Sequence, residues 1–201
     1  EYQISGSRVR NATVACSYGG SGIWFHDTIF NVIEDINISN GPHGLVYAGT
    51  TYGSNLSRVN VSATSYGLIQ TQQSMVTSCT GCTFASNGIC VYWSGSVGGA
   101  YTDLYLTPYV DAWAVGIIRS TQDVSIYYTE IDNEGQAEGL NHNFILSEGA
   151  SFKSHDGIYI ALGAFPLFEC YDTSNVHLTN IGLSLGASVT EVIKHYSAPE
   201  I

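Results

Sequence analysis

Ile36-Asn37-Ile38-Ser39-Asn40-Gly41 and, three residues on, Gly44-Leu45-Val46-Tyr47 carry the reading of the fold. Ile36-Asn37-Ile38 alternates apolar and polar residues, the two-residue period of a strand with one buried face. Ser39-Asn40-Gly41 is turn chemistry, because Asn and Gly accept the backbone angles a tight reversal needs. Gly44-Leu45-Val46-Tyr47 resumes an apolar strand. Twenty-three residues later the same order returns as Val59-Asn60-Val61 followed by Gly67-Leu68-Ile69.

Working outward from that unit gives two columns. One pairs glycine with an aliphatic residue: Gly22-Ile23, Gly44-Leu45, Gly67-Leu68, Gly88-Ile89, Gly116-Ile117, Gly139-Leu140, Gly157-Ile158 and Gly182-Leu183, spaced about 23 residues apart on average. The other is apolar-polar-apolar: Ile36-Asn37-Ile38, Val59-Asn60-Val61, Cys82-Thr83-Phe84, Leu104-Tyr105-Leu106 and Val124-Ser125-Ile126, returning at Val176-His177-Leu178. A single coil cannot bury its apolar face, but stacked coils share one core. The two columns predict an all-β chain, a right-handed single-stranded parallel β-helix of about eight coils, spanning residues 1–201 as one domain. The chain opens on Glu1 without a methionine, so it reads as a piece of something longer.

Composition agrees. Hydrophobic residues make up 44% and charged residues only 11%, with Gly, Ser, Thr and Asn filling the difference. These residues suit strands and tight turns better than helices. The net charge of −11, with six Lys and Arg, leaves no basic stripe for nucleic acid and would repel an anionic polymer, but not a neutral one. No apolar run approaches the length of a membrane-spanning helix. The five cysteines, Cys16, Cys79, Cys82, Cys90 and Cys170, are an odd number and fit free thiols better than a disulfide framework. Cys79 and Cys82 have zinc-knuckle spacing without a second pair, and read as small residues on a strand. Neither a metal nor a cofactor is called for.

If the aliphatic residue of each glycine pair faces inward, its successor faces out. That outer column begins Trp24, Val46, Ile69, Cys90, Ile118 and ends Asn141, Tyr159, Ser184. An apolar stripe through Val46, Ile69, Cys90 and Ile118 predicts a self-association surface. Arg119 and His142 then fall on the inward column, which marks coils five and six as irregular.

The two columns, the low charge and the Ser/Thr/Asn-rich rungs resemble the pectate-lyase-like right-handed β-helix superfamily, and within it bacteriophage tailspikes and capsule depolymerases. That resemblance implies a homotrimer of parallel helices, folded in a reducing cytoplasm and carried on the virion tail, which binds and cleaves host surface polysaccharide. The alternatives are a non-catalytic receptor-binding or structural segment of a viral fibre, and a secreted polysaccharide lyase.

Glycoside hydrolysis needs two carboxylates flanking the scissile bond. Glu130 and Asp132 flank Ile131; Glu138 and Asp156 each precede a repeat glycine, which would set them one rung apart. Sugar C–H faces stack on aromatic rings. Trp93, Trp113, Tyr127 and Tyr159 are the candidates, with His142 as a base or a sugar-orienting group. Asp103 and Asp123 read as turn residues. The sequons at Asn37 and Asn60 fall in one repeat column, so the rung pattern accounts for them.

Overall fold

A computed structural model of the chain describes residues 4–16, 19–95, 99–109, 112–118, 121–126, 129–131, 142–161, 165–186, 189 and 191–197. It is a parallel β-helix of about seven turns. Every described strand pairing is parallel, and no described residue is helical. Among the described residues, therefore, no helix is long and apolar enough to cross a membrane.

One sheet has eight strands, one per rung: Ser21–His26, His43–Ala48, Tyr66–Thr71, Ile89–Ser94, Trp113–Ile118, His142–Ser147, Phe168–Tyr171 and Ile193–Tyr196. Eight strands enclose seven intervals, so the stack completes about seven turns where the sequence predicts about eight coils. The second sheet has eleven strands. It opens with the long strands Arg8–Ala15, Val32–Ser39, Ser54–Ala63, Val76–Ser86 and Gly99–Pro108. Each later rung divides in two: Thr121–Ile126 with Thr129–Ile131, Ser151–His155 with Ile158–Ala161, and Asn175–Thr179 with Gly182–Leu185.

The long strands bend in the middle, and the bend is a stacked feature. Asn11, Asp35, Arg58, Gly81 and Asp103 occupy one position on successive rungs, and each has φ between 50° and 60°. Asp27, Gly49, Gln72 and Gly95 form a second left-handed column, rejoined by Glu148 and Asp172. Asn, Asp and Gly tolerate this region; Arg58, Gln72 and Glu148 adopt it because the rungs on either side demand it.

The core is one continuous cluster. Ile36, Val59, Cys82 and Leu104 stack in register, all essentially inaccessible, as the apolar-polar-apolar column predicts. The glycine column holds for Gly22, Gly44 and Gly67. A Cβ there would lie 2.6, 2.6 and 2.5 Å from the carbonyl oxygen of the next rung's corner residue. It then drifts. Leu68 pairs with Val91 and not with Ile89, so Cys90-Val91 is the fourth corner and Gly88-Ile89 comes two residues early. Val115 and Phe144 continue the column. Gly116 stacks instead between Tyr92 and Ile145, and Gly157 and Gly182 belong to the other sheet.

This drift corrects several expectations. Cys90 is buried in the core and cannot line an outer surface. Trp93 is also fully buried; its indole N–H donates to Gln70 Oε1 at 2.6 Å, and the Tyr101 hydroxyl donates to the same oxygen at 2.7 Å. Tyr159 is buried against Phe144 and Phe168, its hydroxyl donating to Ser154 Oγ at 2.6 Å. None of the three is open to a sugar or to a partner chain.

Candidate functional site

The outer surface of the eight-stranded sheet carries two rows of side chains that run along the helix axis. Strand register fixes the first as Ser21, His43, Tyr66, Ile89, Trp113 and His142. Register fixes the second as Trp24, Val46, Ile69, Tyr92, Gly116, Ile145, Glu169 and Lys194. Six rungs at about 4.8 Å make the first row about 24 Å long.

Side chains of the two rows touch from rung to rung. Ser21 Oγ lies 3.3 Å from His43 Nδ1; the His43 and Tyr66 rings are 5.6 Å apart; Tyr66 meets Tyr92 edge-on at 5.5 Å. Trp24 is 62% exposed at the end of the second row, the most open indole among the described residues. Gly19, Ser21, Trp24, His43, Val46 and Ile69 line a shallow trough of about 310 Å³. Farther along, Gly116 matters because it has no side chain. A Cβ there would come within 3.2 and 3.3 Å of Ile89 and Trp113, so the glycine lets both lie flat across the sheet.

Val46 and Ile69 stand on the outer surface as the alternation predicts, although Val46 is 8% exposed between its neighbours. Tyr92 fills the place expected of Cys90. Ile118 ends its strand two positions past Gly116, and its side chain lies outside the described part.

At the far end, His142 is an outer-row residue rather than an inward one. Its Nδ1 lies 2.7 Å from Glu169 Oε1, and its ring stacks on Phe165 with centroids 4.0 Å apart. Glu169 is 1% exposed despite its place on an outer row, and its other oxygen accepts the Tyr171 hydroxyl at 3.3 Å. The buried Asn143 donates from Nδ2 to the carbonyls of Phe165 and Pro166 at 3.2 and 3.0 Å, which ties down the corner that presents the Phe165 ring. Burial, with the Glu169 charge added, pushes the Cys170 thiol up to about 11.

Of the four carboxylates expected to act together, Asp156 is the one whose side chain is described. Asp156 is an exposed corner residue with φ 54°, its Oδ1 accepting from Asn180 Nδ2 at 2.6 Å. Glu130 sits in Thr129–Ile131 opposite Tyr105, with only its backbone described. Asp132, Glu138 and Tyr127 lie outside the described residues. The five cysteines are unpaired. No family model, curated protein or solved structure matches this chain.

Alternation alone finds Trp24, Val46 and Ile69, because the first three rungs keep their register. It misses His43 and Tyr66, which precede the corner glycine, and Glu169, which lies 27 residues from His142 with no local motif to join them.

Proposed function

We propose that the chain is a tailspike-like β-helical segment of a virion tail that grips a neutral host-surface polysaccharide along the outer face of its eight-stranded sheet. One observation carries the proposal: the rings of His43, Tyr66 and Tyr92 follow one another on three successive rungs, with Trp113 on the next rung and the open indole of Trp24 on the row beside them. The apolar faces of pyranose rings suit such a ladder, and the hydroxyls of Ser21 and Tyr66 supply hydrogen-bonding groups along it. The net charge of −11 favours a neutral glycan over an acidic one.

Titration with neutral capsular or O-antigen polysaccharide, followed by tryptophan fluorescence and calorimetry, tests this reading. Trp24→Ala and Tyr66→Ala should each weaken binding about tenfold, a loss of about 1.4 kcal/mol. Unchanged affinity in both variants, or no binding across a broad neutral panel, would overturn it.

The exposed Trp24 next to Val46 and Ile69 also favours a second reading, in which this strip packs copies of the chain side by side as a homotrimer. Trp24→Lys would then turn a sedimenting trimer into monomers.

A further inference from the structure

We infer that His142 and Glu169 form a general-base dyad that hydrolyses O-acyl esters on a polysaccharide lying along the outer face; this rests on the glycan-binding reading. The geometry is that of a prepared base. Glu169 holds Nδ1, so the imidazole carries its proton on that nitrogen and turns the lone pair of Nε2 away from the carboxylate. Phe165 covers one face of the ring, and Asn143 pins the corner that carries Phe165. His142 keeps 21% of its side chain accessible, whereas Glu169 keeps 1%. It also stands one rung from Trp113, at the end of the ring ladder.

Stability alone does not account for the pair. Glu169 follows Ile145 on its row, and an aliphatic side chain there would avoid the cost of burying a carboxylate. Asn143 Oδ1 is buried without a hydrogen-bond partner among the described residues, a further polar cost at the same place.

Ester hydrolysis is the reaction whose proton balance closes on one imidazole. Nε2 takes a proton from water as the water oxygen bonds to the acyl carbon. The tetrahedral intermediate then breaks its bond to the sugar oxygen, and the imidazolium returns the proton to that oxygen. The products are a free carboxylic acid and a sugar hydroxyl; water is the only co-reactant. Glycosidic cleavage instead needs an acid and a base on two groups.

The test uses the full chain with an O-acetylated neutral polysaccharide and, separately, p-nitrophenyl acetate, which needs no glycan grip. Acetate release is followed by NMR, and polysaccharide binding is measured in parallel. The wild type should release acetate from both. His142→Ala should lose about 10²-fold or more in kcat and regain activity with added imidazole. Glu169→Gln, a positioning change, should lower kcat and leave KM unaltered, with its thermal midpoint checked. Binding without acetate release, or His142→Ala turning over at the wild-type rate, overturns the dyad and leaves the binding reading intact. Release of p-nitrophenol without polysaccharide binding sustains the dyad and removes the glycan-binding reading.

Discussion

Gln72 and Gly95 stack at one corner of neighbouring rungs, both left-handed, yet only the glycine reaches that conformation without steric cost. Gln72 is exposed, and its backbone N–H donates to the Ser94 carbonyl at 2.9 Å. The left-handed penalty for a residue with a Cβ is about 1–2 kcal/mol, partly offset by the greater freedom glycine has when unfolded. Gln72→Gly should therefore raise stability by about 0.5–1 kcal/mol, seen as a higher urea midpoint with an unchanged slope. A lower midpoint would show that the corner exacts no such cost. Residue identity also explains where the sequence misled. Glycine serves three purposes here: close approach of rungs at Gly44, a left-handed bend at Gly49, and a floor beneath two side chains at Gly116. A rule that treats them alike reads the first three corners correctly and loses the fourth. Trp93 and Tyr159 look like surface aromatics for a related reason. Their buried polar partners, Gln70 and Ser154, are visible only once the rungs are stacked.

Between strands, the bent column of the eleven-stranded sheet carries a charge network. Arg58 Nε lies 2.6 Å from Asp35 Oδ1, Arg58 Nη2 lies 3.1 Å from Glu34 Oε1, and Arg10 Nε lies 2.7 Å from Glu34 Oε2. These contacts tie Arg8–Ala15, Val32–Ser39 and Ser54–Ala63 together across the rungs. The hydrogen bond from Arg58 holds the Asp35 carboxyl below its ordinary value, an effect softened by exposure. A depressed carboxyl contributes stability that is present above its unfolded value and lost as pH falls through the folded one. Asp35→Asn, which keeps a residue tolerant of the left-handed bend, should lower the unfolding midpoint at neutral pH and match the wild type well below the carboxylate range. A gap between the two proteins that persists in acid would place the effect in the bend, not in the charge. Repetition made these strands legible: Ile36, Val59, Cys82 and Leu104 return at intervals of 23, 23 and 22 residues, and the rungs follow. The pairing of His142 with Glu169 was not legible, because it depends on the register of rungs whose spacing departs from the mean.

Across the whole molecule, ionisable groups lie within the core. Burial pushes the Cys90 thiol and the Tyr47 and Tyr101 phenols well above their ordinary values, and the Cys170 thiol to about 11. The unfolded chain gives up these protons at ordinary values, while the folded chain retains them. The resulting stability is complete below about pH 8.5, the ordinary thiol value, and drains away as pH rises beyond it. Urea midpoints should fall steadily above about pH 9. Iodoacetamide at neutral pH should label the partly open Cys16 ahead of Cys79, Cys82, Cys90 and Cys170. A midpoint that stays flat into strong alkali would mean that water already reaches these groups. The direction of the backbone hydrogen bonds has a mechanical consequence. In both main sheets they run from rung to rung, parallel to the long axis and not across it. Tension between the two ends of the stack would load these bonds a few at a time, so the molecule would yield by peeling one turn after another at low force, and under traction it would behave as an extensible tether and not as a stiff rod.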